Sequence, residues 1–239
     1  NIGNIYDAIG EYEKATSKLI ESYDLFIKEN NIKKAVRSLN LLGITQIRLR
    51  NNKKAFSFSE QAMNLSLKVG DTIGYFRAKK NLAIIHKNLK DYKKALKYNI
   101  EVVNREKKHK KYYHLGKTYN NIAIIYYKTK KYDLSLTYYR KSLKLKEKYG
   151  NNSDIINSYL GLGNLFYRMN NLKLSKVNLD KAKILAEKSK LPYELMNVQN
   201  SLSVINYSLK EYKEAYNSLE KFKSISDSLR SVKLKTNIT

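Results

Sequence analysis

The sequence predicts an all-α protein, a solenoid of about six stacked helical hairpins. The chain has 239 residues but only one Pro and nine Gly, and so few helix breakers favour a mostly helical fold. Hydrophobic residues make up 42% of the sequence, which is enough for a sizeable core. Small residues also recur every 40 residues along the chain, and a fixed period of this length is typical of repeat proteins.

Three positions define the repeat and stay in phase through its six units. The first is a small residue that follows a Leu or Ile: Gly3, Gly43, Ala83, Ala123, Gly163 and Ser203. A second small residue lies twelve positions later: Ala15, Ala55, Ala95, Ser135, Ser175 and Ala215. A mostly aromatic position comes just before it: Tyr12, Asn52, Tyr92, Tyr132, Leu172 and Tyr212. Small residues recur where two helices cross closely, because larger side chains would hold the backbones apart.

Each unit is therefore predicted to form one helical hairpin. A short polar turn, such as "KTKKYD" in the fourth unit, makes its two helices antiparallel neighbours, and hairpins must stack because one alone cannot bury its apolar face. Asp71, and either Ser153 or Asp154, are predicted helix N-caps, and Pro192 suits a first helical turn. We predict one solenoid domain with a C-terminal tail at 233–239 and units at 1–32, 33–71, 72–111, 112–151, 152–191 and 192–232.

This pattern resembles the tetratricopeptide repeat. The matching positions are Leu42-Gly43, Gln46, Ala55 and Ala62 in the second unit, and Ile122-Ala123, Tyr126, Ser135 and Ser142 in the fourth. The chain departs from the family in lacking the usual Trp and in its period of 40 residues rather than 34, so we expect longer second helices. The resemblance implies a right-handed superhelix whose first helices line a concave groove for a peptide or protein segment.

The last unit adds a resemblance of its own. Its sequence "YKEAYNSLEKFKSISDSLRSV" is similar to the end of the repeat arrays in Bacteroidetes sensor and regulatory proteins. This similarity implies a bacterial chain that senses or scaffolds a partner within a larger regulator of signal transduction or transcription. Such a chain is expected in the cytoplasm, or in the periplasm as part of a membrane-anchored regulator. No apolar run in the sequence approaches the roughly 20 residues of a membrane span.

Three positions of each first helix would face the groove that the tetratricopeptide resemblance implies. They are Arg37, Arg77, Lys117, Asn157 and Asn197, then Asn40, Lys80, Asn120 and Asn200, and finally Tyr127, Tyr167 and Tyr207. Asn amides can both donate to and accept from a peptide backbone, and Tyr adds contact area at modest entropic cost. The Arg and Lys side chains favour an acidic segment or a free carboxylate. The alternative is that these residues only solvate the groove or pack between repeats.

Two alternatives to a peptide-binding scaffold stay open, and the formal net charge of +26 concerns the first of them. A basic surface can bind nucleic acid, so one alternative is a nucleic-acid-binding helical repeat. However, Lys predominates over Arg, the better bidentate phosphate ligand, and Lys, Asn, Ile and Tyr all have A/T-rich codons. Coding bias is therefore the simpler explanation of the charge. The other alternative is a structural or oligomerisation spacer with an empty groove.

The sequence carries no motif of catalysis. It has no Cys, no Gly-rich phosphate loop, and no nucleophile or paired-carboxylate motif. His86 takes a repeat position that holds Tyr in other units, and the spacing of His109 and His114 puts them on different sides of a helix without further ligands. We therefore predict neither an enzyme nor a metal or cofactor site.

Overall fold

Helices account for nearly all of the described chain. In this computed structural model the described backbone runs from residue 2 to residue 238, and the described side chains end at residue 231. Within that range there are twelve α-helices and no β-strand, as predicted. They are α1 (Ile2–Ile9), α2 (Tyr12–Lys28), α3 (Ile32–Arg48), α4 (Asn52–Lys68), α5 (Thr72–Asn88), α6 (Tyr92–Lys108), α7 (Tyr112–Lys128), α8 (Tyr132–Tyr149), α9 (Asn152–Arg168), α10 (Leu172–Lys188), α11 (Pro192–Ser208) and α12 (Tyr212–Ile238).

The helices pair in sequence order, and the odd-numbered helix of each pair is the first helix of a repeat. The two helices of a pair pack against each other, as α3 does with α4 and α7 with α8. The first pair is uneven, because α1 has 8 residues whereas α2 has 17. This arrangement of paired helices at a constant period confirms the predicted all-α repeat.

Contacts between residues divide the chain into two compact units. Unit 1 is residues 1–108 and holds α1 to α6, and unit 2 begins at His109 and holds α7 to α12. In unit 1, Leu19 and Leu39 belong to a buried cluster between α2 and α3, and in unit 2 Leu179 and Leu202 belong to one between α10 and α11. The single domain and its repeat boundaries stay a prediction. Helix α12 continues through Ile238, into the segment designated as the tail.

In the second and third repeats the two helices are equal in length, so the additional residues of the longer period are not confined to the second helices. Helices α3 and α4 both have 17 residues, and so do α5 and α6. A three-residue turn follows each of them, which gives a half-repeat of 20 residues. Equal lengths let both helices of a pair pack along their whole length, and the additional residues of the 40-residue period are therefore shared between them.

Every turn between described helices except the α8–α9 turn at Gly150 contains one residue in the left-handed backbone conformation. Lys90, Lys130 and Lys210, for example, have φ angles of 62°, 59° and 64°. The Lys130 N–H donates to the Tyr127 carbonyl oxygen at 3.1 Å, and the Lys131 N–H donates to that of Tyr126 at 2.9 Å. These are the paired hydrogen bonds of a Schellman motif. Because the left-handed position normally favours Gly, which has no Cβ, each turn Lys holds a strained backbone.

Asn and Asp side chains cap many of the helices. The Asp71 carboxylate accepts a hydrogen bond from the Gly74 N–H at 3.0 Å, and Pro192 lies in the first turn of α11; both were predicted. The N-cap of α9 is instead Asn151, whose Oδ1 accepts from the Asp154 N–H at 2.9 Å. The prediction of Ser153 or Asp154 was wrong because α9 already begins at Asn152.

The small residues of the repeat lie at helix crossings, as predicted. The Ser135 hydroxyl donates to the Ala123 carbonyl oxygen at 2.9 Å, and the Ser175 hydroxyl donates to that of Gly163 at 2.7 Å. A Cβ atom on Gly163 would lie only 2.7 Å from Leu179 Cδ2. The two small positions of a unit therefore bring its first and second helices into direct backbone contact.

Candidate functional site

In unit 1 the candidate surface belongs to the first helices α3 and α5, which contact each other. Arg37 on α3 and Arg77 on α5 occupy the same repeat position, and both side chains are exposed. A 40-residue spacing on two adjacent helices thus gives a pair of guanidinium groups that face solvent. Such groups bind carboxylates bidentately.

Asn40, predicted to face the groove, is instead buried between α3 and α5. Its Nδ2 donates to the carbonyl oxygens of Val36 and Gly74, both at 3.1 Å, and its backbone carbonyl oxygen accepts from Asn81 Nδ2 at 2.9 Å. The helices approach closely because Gly74 has no side chain, and a Cβ there would lie 2.4 Å from Val36 Cγ1. The Asn40 amide group therefore joins two helices and is not part of the exposed surface.

Lys80 is also engaged within unit 1. Its ammonium group pairs with the buried carboxylate of Glu106 on α6, which leaves the side chain half-buried. The adjacent Lys79, which sequence reasoning missed, is buried, pairs with Glu101 and lies 4.5 Å from the ring centroid of Tyr75. The sequence does contain a sign that Lys79 is buried, because the same repeat position holds the apolar residue Leu39 in the preceding unit.

In unit 2 the first cation of the candidate surface is Lys117 on α7. Its Nζ lies 3.5 Å from Asp154 Oδ2 and 4.4 Å from the ring centroid of Tyr113. Partial burial opposes ionisation, but hydrogen bonding to Tyr113 and the charge of Asp154 outweigh it and raise the pKa of Lys117. Lys117 is therefore a protonated side chain at the surface, and the nearby Asp154 carboxylate offsets part of its charge.

The Asn side chains of unit 2 provide its amide groups. Asn120 on α7 is half-buried, and its Oδ1 is buried without a hydrogen-bond partner among the described residues. Asn157 on α9 and Asn200 on α11 are exposed, and Asn197 is half-buried. Because α9 contacts both α7 and α11, these amides lie on neighbouring first helices.

The three predicted Tyr residues have different environments. Tyr127 packs against a buried cluster around Phe166, and its hydroxyl oxygen accepts a hydrogen bond from Arg168 Nε at 3.2 Å. Tyr167 is half-buried and packs on the cluster that contains Leu202, whereas Tyr207 is 67% exposed. Packing between repeats, the alternative to ligand contact, therefore accounts for part of the role of Tyr127 and Tyr167.

Arg168 was not predicted as part of the candidate surface. It is exposed at the end of α9 and orients the Tyr127 hydroxyl on the preceding first helix. The same repeat position holds Arg48 and Lys128 but Ala8, Asn88 and Ser208 in the other units, so the repeat pattern alone gives no clear sign of its role.

No residue group in the described part of the chain suggests a metal site. Among these residues, no three or more His, Cys, Asp or Glu side chains come close enough together to hold an ion.

None of the described helices combines the length and the apolar character that crossing a bilayer requires.

The geometry defines a class of protein, a repeat of helical hairpins with polar surfaces on its first helices. Residues 114–188 match the model of the tetratricopeptide repeat family. No curated protein sequence matches the chain. The match covers less than half of the chain, and the described helices on both sides of it repeat the same hairpin, so the fold is tetratricopeptide-repeat-like.

Solved structures with a similar fold cover nearly the whole chain. BtubC (BKLC) from P. vanneervenii has 15% identity and a TM-score of 0.73, with 92% of both chains covered. A Rap protein complexed with competence and sporulation factor has 11% identity and a TM-score of 0.76, covering 96% of this chain and 74% of that one. The Rap conjugation gene regulator of plasmid pLS20, in complex with the Phr* peptide, has 14% identity and a TM-score of 0.72, covering 97% and 62%. At these identities the likeness concerns the fold.

Proposed function

We propose that this chain is a scaffold that binds a peptide or protein segment on the surfaces of its first helices. The observation that carries the proposal is Asn120 Oδ1, a buried acceptor without a partner among the described residues. Buried polar atoms of native proteins are nearly always hydrogen-bonded, and a peptide N–H is a suitable donor. The Rap regulator of similar fold that was solved with the Phr* peptide gives this proposal further support.

The exposed amides of unit 2 extend the proposed contact beyond Asn120. Asn157 and Asn200 are exposed on α9 and α11, and each amide can bond both the N–H and the C=O of an extended peptide. Tyr207, which is 67% exposed, adds apolar area beside Asn200. A segment bound here makes main-chain hydrogen bonds to successive repeats, and the Tyr side chains contact its side chains.

The charges of the candidate surfaces favour an acidic partner. In unit 1, Arg37 and Arg77 are exposed on adjacent helices, and in unit 2 Lys117 is balanced only by Asp154 at 3.5 Å. An acidic side chain or a free C-terminal carboxylate can pair with these cations. The similarity in fold to Rap regulators supports a further part of the proposal, that the repeats are the sensing or interaction region of a bacterial regulatory protein.

A peptide array probed with the whole chain tests this function. Asn120→Ala removes the unpartnered acceptor, and we expect affinity for bound peptides to fall about 5- to 150-fold, the range of a lost hydrogen bond. Arg77→Glu should weaken acidic peptides selectively and reduce the salt dependence of the remaining binding. Asn64→Ala on α4 and Lys93→Glu on α6 are matched controls, because both residues are exposed on second helices.

The outcome separates the candidate functions. If Asn120→Ala and Arg77→Glu both retain every bound peptide, the first-helix surfaces are not the binding site. Binding of labelled RNA or DNA that is lost in the Lys93→Glu control would favour the nucleic-acid alternative, which the charge of +26 suggests. Self-association without any peptide binding would favour the spacer.

A further inference from the structure

Two hairpin turns of unit 1 form an exposed basic surface, which we call the hairpin edge. It consists of the α3–α4 segment "LRNNKK" (49–54) and the α5–α6 segment "LKDYKK" (89–94). The two segments lie side by side, because Asn88 Nδ2 at the end of α5 donates to Asn52 Oδ1 at the start of α4, at 3.5 Å. Together they contain one acidic residue, Asp91, and six basic residues whose side chains are all exposed: Arg50, Lys53, Lys54, Lys90, Lys93 and Lys94.

Exposed aliphatic side chains accompany these cations. Each segment begins with a Leu, and Leu49 is 37% exposed and Leu89 55% exposed. Ile9 has the same repeat position in α1 and is 66% exposed. It lies beside the α3–α4 turn, because Arg48 at the end of α3 donates to the Asp7 carbonyl oxygen of α1 at 3.1 Å. Apolar side chains that are exposed together mark an interaction surface.

The positions of the Lys residues do not stabilise the helices that carry them. Lys53 and Lys54 lie in the first turn of α4, Lys93 and Lys94 lie in that of α6, and neither first turn contains an acidic residue. The start of a helix carries a partial positive charge, which favours acidic side chains over basic ones. Asp91 offsets one cation, since its carboxylate lies 3.7 Å from Lys94 Nζ. An anionic partner outside the chain would stabilise the others.

The combination of paired Lys and exposed Leu is specific to unit 1. In the repeats of unit 2 the positions of the Lys pairs hold Asp133-Leu134, Lys173-Leu174 and Lys213-Glu214. The positions of Leu49 and Leu89 hold Thr129, Met169 and Leu209, which are all half-buried. Coding bias raises the Lys content of a whole chain, so it does not account for this local pattern.

The side chains of the hairpin edge favour lipid over nucleic acid. Single-stranded nucleic acids stack their bases on aromatic side chains, whereas Tyr92, the aromatic residue of the two segments, is half-buried. Five of the six basic residues are Lys, and Arg is the better bidentate phosphate ligand. Surfaces that bind membranes combine Lys with aliphatic side chains, and anionic leaflets attract clusters of basic residues.

We propose that the hairpin edge of unit 1 docks on the surface of an anionic lipid bilayer. The Lys and Arg side chains contact the anionic headgroups, while Leu49 and Leu89 reach the boundary between headgroups and acyl chains. The edge is separate from the proposed peptide surface, because Leu49 and Arg37 are twelve residues apart on α3, about 18 Å along a helix axis. A segment bound on the first helices would thus be held close to the bilayer.

Cosedimentation of the whole chain with lipid vesicles tests the proposal. We expect saturable binding to vesicles of phosphatidylcholine mixed with phosphatidylserine, weaker binding at high salt, and no binding to pure phosphatidylcholine. Lys53→Glu combined with Lys54→Glu should weaken binding at least tenfold. Helix α4 should be retained in this variant, since acidic residues are favoured in a first turn.

The matched control is Lys33→Glu combined with Lys34→Glu, which changes the net charge by the same amount. Both Lys pairs are exposed in a first turn. The preceding Asn caps each helix, as Asn31 Oδ1 accepts from the Lys34 N–H at 3.4 Å and Asn51 Oδ1 accepts from the Lys54 N–H at 3.1 Å. The start of α3 lies about 25 Å from its end, well beyond the Debye length of about 8 Å. The control should therefore bind within about twofold of the wild type.

A single Trp tests the contact of the Leu side chains with lipid, because the chain has no Trp of its own. The emission of Leu89→Trp should shift to shorter wavelength on addition of the anionic vesicles, and brominated lipids should quench it. Leu67→Trp is the control, since Leu67 is 61% exposed near the opposite end of α4, and its emission should not change. Leu89→Gln should weaken vesicle binding at least threefold and leave DNA binding unchanged.

Three results would overturn the proposal. One is an equal loss of vesicle binding in the two Lys-pair variants, which would mean that only the overall charge acts. Another is an unshifted emission of Leu89→Trp when the chain is fully bound to vesicles. The third is DNA binding that is tighter than vesicle binding and is lost with Lys53→Glu and Lys54→Glu, which would assign the hairpin edge to nucleic acid.

Discussion

Arg168 Nε donates a hydrogen bond to the Tyr127 hydroxyl oxygen, 41 residues earlier in the chain. The same offset recurs at the other end of the sequence, where Arg48 donates to the Asp7 carbonyl oxygen at 3.1 Å and also pairs with its carboxylate. In both cases the last turn of a first helix contacts the preceding first helix. Arg48 and Arg168 therefore each link two successive repeats within a unit.

The Arg48 contact leads to a prediction for the truncated first repeat. Helix α1 has 8 residues and exposes Ile2, Ile5 and Ile9, so it depends on few contacts. Arg48→Ala removes its ion pair, and amide hydrogen exchange in α1 should accelerate about 2- to 10-fold, while exchange in α5 and α6 stays unchanged. Arg37→Ala, an exposed change on the same helix, is the control. Equal protection of α1 in both variants would contradict this role of Arg48.

The crossing of first and second helices leaves no room at Ala83. This residue is 1% exposed and takes the first small position of the third repeat. Ala83→Leu should overpack the crossing and lower the free energy of unfolding by about 1–3 kcal/mol, as measured by urea denaturation. Ala8→Leu, at an exposed position of α1, should have almost no effect. An unchanged unfolding midpoint for Ala83→Leu would refute the assignment of the repeat.

The left-handed turns offer a route to a more stable protein. Lys130 has a φ of 59°, a conformation that costs an L-residue about 1–2 kcal/mol and costs Gly much less. Part of that gain is lost to the greater flexibility of Gly in the unfolded chain, so Lys130→Gly should stabilise the fold by about 0.5–1 kcal/mol. Lys130→Ala keeps the strain and serves as the control. A gain of equal size from Ala would show that loss of the charge, rather than relief of strain, is responsible.

The buried Lys146 makes stability depend on pH. It is 3% exposed, and its Nζ donates to the Asp154 carbonyl oxygen at 3.1 Å and to the Ser158 hydroxyl at 3.0 Å. Burial, with a contribution from the charge of Lys117, lowers the pKa of Lys146 from 10.5 to about 8 although Asp154 opposes the shift. Below pH 8 both the folded and the unfolded chain carry this proton, and the fold bears the cost of a buried charge.

Between pH 8 and pH 10.5 the unfolded chain keeps the proton and the folded chain loses it, so stability rises with pH. Relative to Lys146→Met, the wild type should gain about 1–3 kcal/mol in free energy of unfolding from pH 7 to pH 10. Lys144→Met, an exposed change on the same helix, should follow the wild type. Parallel pH profiles for the wild type and Lys146→Met would contradict the lowered pKa.

The sequence predicted the hairpins well because burial at helix crossings is periodic and leaves small residues in phase. It could not predict the environment of Asn40, which has the same repeat position as Asn120. The difference comes from Gly74. Because Gly74 has no side chain, α5 can approach α3 closely, and the Gly74 carbonyl oxygen accepts a hydrogen bond from Asn40 Nδ2 at 3.1 Å. Such a contact depends on a residue 34 positions away, and no single column of the repeat shows it.

The equal half-repeats also place basic side chains at regular points along the chain. Each helix from α2 to α10 has a basic residue in its last turn, where aligned peptide dipoles produce a partial negative charge. Each such end carries about half a negative charge, so the backbone offsets a small part of the cationic excess. Added salt screens both this attraction and the repulsion among the cations, and the two effects oppose each other. The charge of +26 therefore destabilises the helices less than the same cations would if they lay at helix N-termini.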